Sequence, residues 1–119
     1  MKWVKSILIL GVLIFHADFA STVLAWDRYA QPMAYFKAPE NGAVVSAGKP
    51  LTLKVGAQSR NSIHRVDFYI NGKLVHRDYK RPYQFTWKSV PAGKHELRCQ
   101  ASTIFHVRRS SPKVRITAR

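Results

Sequence analysis

The stretch Arg65–Trp87, RVDFYINGKLVHRDYKRPYQFTW, decides the fold. Val66, Phe68 and Ile70 alternate with Arg65, Asp67 and Tyr69. That period of two puts one side of a strand in a core and the other in water. Asn71-Gly72 follows at once, and these residues accept the positive φ that a two-residue type I′ hairpin turn needs at both central positions. Lys73–Tyr79 is therefore expected to return antiparallel. Arg81-Pro82 breaks that run, and Tyr83, Phe85 and Trp87 then alternate with Gln84, Thr86 and Lys88 as a further strand.

The pattern continues in both directions. Upstream, Leu51, Leu53, Val55 and Ala57 alternate with Thr52, Lys54 and Gly56. Before them, Tyr35–Ala38 reads as an edge strand, Pro39-Glu40-Asn41-Gly42 as a turn, and Val44-Val45 as a short continuation. Downstream, Val90-Pro91-Ala92-Gly93 is a turn and His95–Ala101 a strand with Glu96, Arg98 and Gln100 outward. Thr103–Pro112 reads as a loop holding Phe105, Arg108 and Arg109, and Val114 and Ile116 mark the last strand. About seven short antiparallel strands, spaced about eight to twelve residues apart with turn signals between them, are the signature of an immunoglobulin-like β-sandwich. The expected class is all-β.

The first 25 residues do not fit this pattern. Met1–Lys5 carries two lysines, Ser6–Phe15 is almost wholly apolar, and Val23-Leu24-Ala25 has small residues where a signal peptidase cuts. The apolar core is about ten residues long, half of what a membrane-spanning helix needs. The expected organisation is a cleaved secretory signal peptide over 1–25, an N-terminal arm over 26–36 and the sandwich over 37–119. The product is then exported, periplasmic or secreted, and has no transmembrane segment once the signal is gone. It keeps 94 of the 119 residues, with 18 of the 20 Lys and Arg and five of the six acids, for a formal charge of +13. So basic a body attracts anionic partners in general: nucleic acid, lipid phosphates, acidic glycans or cell-wall polymers.

Cys99 is the only cysteine, so no intramolecular disulfide can form. It falls on the inward parity of His95, Leu97, Cys99 and Ala101, where a thiol serves as a small hydrophobe. The acids Asp27, Glu40, Asp67, Asp78 and Glu96 form no close pair with a base or nucleophile, so no catalytic residue and no enzymatic role is expected. Asp67 and Glu96 are expected outward on adjacent strands, near Arg65 and Arg98, as cross-strand charge pairs. His64, His76, His95 and His106 lie on separate elements without zinc-ligand spacing, and clustered carboxylates for calcium are lacking, so neither a metal nor a cofactor is expected.

Four segments in order carry a family resemblance: Ala38-Pro39-Glu40-Asn41-Gly42, Val66-Asp67-Phe68-Tyr69-Ile70-Asn71-Gly72-Lys73-Leu74-Val75, Pro82-Tyr83-Gln84-Phe85-Thr86-Trp87 and Gly93-Lys94-His95-Glu96-Leu97. From Lys37 onward the chain resembles a bacterial immunoglobulin-like domain of exported and cell-surface proteins. The resemblance implies a structural module, since the motifs are turn glycines and inward aromatics. It also implies that Arg65, Tyr69, Arg98, Lys113 and Arg115 share one sheet face, with Phe105, His106, Arg108 and Arg109 at its end. Arginines beside an exposed aromatic suit phosphate, sulfate or acidic-sugar surfaces, through forked hydrogen bonds and stacking.

The leading expectation is an exported, non-enzymatic binding module. It docks on an anionic cell-envelope polymer or polysaccharide through Arg65, Tyr69, Arg98, Phe105, Arg108, Arg109 and Arg115. The first alternative is a protein-interaction subunit of an envelope or secretion complex, using the aromatic arm Trp26–Phe36. Exported nucleic-acid binding is the second alternative; charge suits it, but no recognised nucleic-acid motif is present.

Overall fold

The computed structural model describes residues 28–119. The chain divides into two units, Met1–Ala30 and Gln31–Arg119. The signal segment and Trp26 lie outside the described residues. The second unit contains nine strands: β1 (Met33–Ala38), β2 (Val44–Val45), β3 (Leu51–Gln58), β4 (Ile63–Ile70), β5 (Lys73–Asp78), β6 (Tyr83–Trp87), β7 (Gly93–Thr103), β8 (Arg108–Ser110) and β9 (Val114–Ala118). They form two sheets. One runs β1-β3-β6; the other runs β2-β9-β7-β4-β5, with β8 also paired to β7.

The alternating residues pack between these sheets. Leu53, Val55 and Ala57 of β3 face Val66, Phe68 and Ile70 of β4 and Leu97, Cys99 and Ala101 of β7 in one buried cluster. Phe36, Phe85 and Trp87 close its margins. Burying a side chain such as Leu53 or Phe68 contributes about 1.5–3 kcal/mol. On the outside of the smaller sheet, Tyr35 lies opposite Gly56. Its ring occupies the space that a β-carbon at Gly56 would take.

The central hairpin turns as expected, with φ of 52° at Asn71 and 80° at Gly72. Asn71 also bonds to β7. Its N–H donates to the Glu96 carbonyl at 2.8 Å, and its side-chain oxygen accepts the Glu96 N–H at 2.9 Å. Its Nδ2 meets His95 Nδ1 at 3.1 Å, while His95 Nε2 meets the Pro91 carbonyl at 2.7 Å. A carbonyl only accepts, so Nε2 carries the proton and Nδ1 accepts from Asn71. His95 thus has a partner for each ring nitrogen, and Trp87 packs edge-on against it.

The strand count is nine rather than about seven, and the sheets are not wholly antiparallel. β2 pairs parallel with β9. β8 lies inside the stretch read as a loop, because β7 continues past Ala101 to Thr103 before the chain reverses. Thr103 Oγ1 accepts the N–H groups of Phe105 and Val107, and His106 takes φ of 62°. The chain then comes back with Arg108–Ser110 against Gln100–Ser102. Three residues are too few for a period of two to show. The sandwich also begins earlier than Lys37: β1 includes Met33–Phe36, and Ala34 packs in the core.

Candidate binding face

Strand register sets what the outer face of the larger sheet presents, because residues directly opposite on paired strands point the same way. Tyr69 lies opposite Arg98, Asp67 opposite Gln100, Asp67 opposite Arg77, Glu96 opposite Arg115, and Ser102 opposite Arg108. The face therefore joins Arg65 and Tyr69 of β4, Arg77 of β5, Arg98 of β7, Arg108 of β8 and Arg115 of β9. Lys113, just before β9, reaches it too, 3.5 Å from Glu96.

Arg98 is the fixed point. Its guanidinium carbon sits 4.0 Å from the centre of the Tyr69 ring, and its Nη1 donates to Ser110 Oγ at 2.8 Å. The ring face attracts the cation, and the hydroxyl orients its fork, so little side-chain freedom remains to be lost on binding. Arg115 lies nearer the β2 edge, with its side chain 76% exposed and its Nε 3.8 Å from Glu96. An open depression of about 420 Å³ adjoins it, lined by Gly42, Asn71, His95 and Glu96 among others.

Asp67 is not outward in water as expected. It is 1% exposed. Arg65 Nε lies 3.1 Å from its Oδ1 and donates to Oδ2 at 3.4 Å; Arg77 Nε lies 3.5 Å from Oδ1. A carboxylate taken out of water needs this compensation, so the two long arginine stems close over it. Its partner across β7 is Gln100, not Arg98. Glu96 in turn pairs with Lys113 and Arg115 rather than with Arg98. Arg65 belongs to the face, but its charge is spent on Asp67 and its side chain is only 16% exposed.

Arg109 does not share the face either. In β8 it lies opposite inward-facing Ala101, and its Nη1 reaches Gln31 Oε1 at 3.4 Å. Phe105 is at the tip of the turn after β7, beyond the end of the sheet. The structure thus gathers Arg65, Tyr69, Arg98, Arg108 and Arg115 on one face and places Phe105 and Arg109 elsewhere. Sequence reasoning missed Arg77 and Ser110. The alternation of Arg77 with His76 was the available signal for the first.

Cys99 is buried, as its parity implied. Burial pushes its thiol up to about 11, only partly offset by the hydrogen bond with Ser111 and the nearby Arg98 charge. Among the described residues, no three His, Cys, Asp or Glu side chains come together as a metal site, and no helix is long and apolar enough to cross a membrane.

The sequence pattern of the bacterial Ig domain family matches residues 32–98. Among solved structures, the chain is similar to the fibronectin(III)-like modules of Clostridium thermocellum CbhA, with a TM-score of 0.70 and 23% identity over 72% of this chain and 94% of that one. It is also similar to the CARDB domain of the Pyrococcus furiosus PF1109 protein, described in complex with di-metal ions (TM-score 0.57, 14% identity, 76% of this chain and 90% of that one). A third likeness is to a superoxide reductase (neelaredoxin) variant from Ignicoccus hospitalis, with a TM-score of 0.54 and 18% identity over 76% of this chain and 82% of that one. At these identities the likenesses establish the fold. No curated protein matches the chain.

Proposed function

The chain belongs to the bacterial Ig domain family, whose members commonly occur in exported and cell-surface proteins, and from this premise we propose that it is an exported, non-enzymatic module that docks on an anionic envelope polymer or polysaccharide. The observation that carries this reading is the stack of Arg98 on Tyr69, held by Ser110, at the middle of the outer face. Around it stand Arg65, Arg77, Arg108, Lys113 and Arg115, against only Asp67 and Glu96. Six cations less two carboxylates leave four formal positive charges on the face. From the level of Glu96 to that of Ser102, β7 spans about 20 Å at about 3.3 Å per residue. An extended polyanion with repeated carboxylate or phosphate groups matches that spacing better than a single small anion.

Retention of the purified protein on immobilised polyuronate, teichoic-acid-type polyphosphate and a neutral glucan, at about 0.15 M salt where long-range attraction is screened, tests the reading. Arg98→Ser with Arg115→Ser should weaken retention on the acidic polymers by about tenfold or more, since each lost charged hydrogen bond is worth about 1.5–3 kcal/mol. Arg109→Ser should leave it unchanged. Equal retention of the double variant and the parent overturns the proposal.

One observation favours the alternative of an envelope-protein partner. β1 is an edge strand, paired only with β3, and its Met33 is 57% exposed. If that edge takes up a partner's strand, removing residues 26–29 or replacing Met33 with Lys should release a protein that co-purifies from native cells.

A further inference from the structure

At one end of the sandwich, three connections come together: residues 59–62 between β3 and β4, 79–82 between β5 and β6, and 104–107 between β7 and β8. The Ile104 N–H donates to the Ser62 carbonyl at 3.1 Å. The His64 ring lies 5.7 Å from that of Tyr79 and 6.5 Å from that of His106, so the three segments form one surface. Its apolar side chains are turned into solvent. Tyr79 is 55% exposed, Ile104 50% and Phe105 44%.

This exposure is built in. Thr103 Oγ1 accepts two N–H groups of the turn, its own N–H donates to the Val107 carbonyl at 2.9 Å, and the His106 N–H donates to the Thr103 carbonyl at 2.9 Å. His106 stands at φ 62°, a left-handed conformation outside glycine, which costs free energy and persists only where its surroundings enforce it. The turn is thereby fixed with Ile104 and Phe105 projecting.

The collar around them has one sign. The three connections contain Arg60, Lys80 and Arg81 and no acid, and Arg108 follows directly. The carboxylate next in sequence, Asp78, accepts the backbone N–H groups of Lys80 and Gln84. Three apolar side chains are far too few for a stable protein–protein contact, which buries about 1,200 Å² or more in total. They do suit a fluid interface that gives way around them. Aromatic rings settle at the headgroup level, and basic residues are drawn to anionic lipid.

We propose that this loop end docks on an anionic phospholipid surface, with Ile104, Phe105 and Tyr79 entering the headgroup region and Lys80, Arg81, Arg60 and Arg108 contacting lipid phosphates. This site shares Arg108 with the arginine face but not Arg98 or Arg115, so variants at Ile104 and Phe105 and at Arg98 and Arg115 test the two separately.

Co-sedimentation of the purified protein with phosphatidylglycerol-containing vesicles and with pure phosphatidylcholine vesicles tests it. Binding should need the anionic lipid. Ile104→Ser with Phe105→Ser should lower partitioning about 25-fold, since returning each half-exposed apolar side chain to water costs about a factor of five. Lys80→Ser with Arg81→Ser should lower it by a similar factor. Lys54→Ser, which removes a cation on the outer side of β3, should not change it. All these proteins share one N-terminus, so any contribution from residues 1–25 cancels. In Phe105→Trp, brominated phosphatidylglycerol should quench the new tryptophan beyond the quenching seen in the parent. Absence of that extra quenching, or partitioning equal to the parent's in the Ile104/Phe105 variant, overturns the proposal.

Discussion

Titrating Cys99 offers a strict check on the core. The thiol is buried on the inward side of β7, and burial raises it from 9.0 to about 11. Deprotonation is therefore easier in the unfolded chain. The stabilisation is fully present below the unfolded value and is lost as pH rises through 9 toward 11. Two pKa units correspond to about 2.7 kcal/mol in the limit, and linkage at about pH 10.5 gives a loss of about 2 kcal/mol relative to about pH 8. The quantity to measure is the difference between the parent and Cys99→Ala, in which contributions common to both cancel. Urea unfolding under reducing conditions supplies it at several pH values. Near neutrality the parent should be the more stable, because the alanine leaves a void the size of a sulfur atom. Toward about pH 10.5 the gap should shrink by about 2 kcal/mol and close or invert. A gap that is independent of pH would refute the burial argument for this thiol. Rapid reaction of native Cys99 with a thiol reagent at neutral pH would do the same.

Other perturbations reach different parts of the fold. Asp67→Ala strands Arg65 without its partner and should cost about 3–5 kcal/mol in urea unfolding; a loss below about 1 kcal/mol would mean that the Arg65–Asp67–Arg77 cluster is as weak as a surface ion pair. Gly56→Ala must displace the Tyr35 ring and should cost about 1–3 kcal/mol, whereas in a Tyr35→Ala background the same change should cost almost nothing. Asn71→Gly keeps the turn angles and the backbone bond to the Glu96 carbonyl but forfeits the side-chain bonds to the Glu96 N–H and to His95, about 1 kcal/mol. Asn71→Ala adds the left-handed penalty, about another 1 kcal/mol, and equal melting temperatures for the two would remove the turn from the account.

How far these features could be read in advance depended on whether a pattern was local. The Asn71-Gly72 hairpin was legible because two adjacent residues fix both φ angles. The inward side of β7 was legible because four alternating residues agree. Asp67 misled because parity assigns a side of the sheet, not a degree of exposure. Only the register, which sets Arg77 across from it and Arg65 beside it, shows a carboxylate roofed over on the outer face. Arg108 and Arg109 misled for the opposite reason. Read as a loop, they had no period, and both could be assigned to the end of the face; as a strand, they must point to opposite sides. The loop-end surface depends on three segments far apart in sequence, and the Ser62–Ile104 hydrogen bond that joins two of them leaves no mark in composition.

The parallel pairing of β2 with β9 sets how the fold would respond to tension. The short strand between β1 and β3 and the last strand run side by side in the same direction. They are joined by hydrogen bonds from the Gly42 N–H to the Arg115 carbonyl, from the Thr117 N–H to the Ala43 carbonyl and from the Arg119 N–H to the Val45 carbonyl. The Asn41 side-chain oxygen adds another, accepting the Arg115 N–H. Tension applied between residue 41 and Arg119 acts along both strands in opposite senses, so these bonds are sheared together rather than peeled one after another. Under tension between those two points the four bonds share the load.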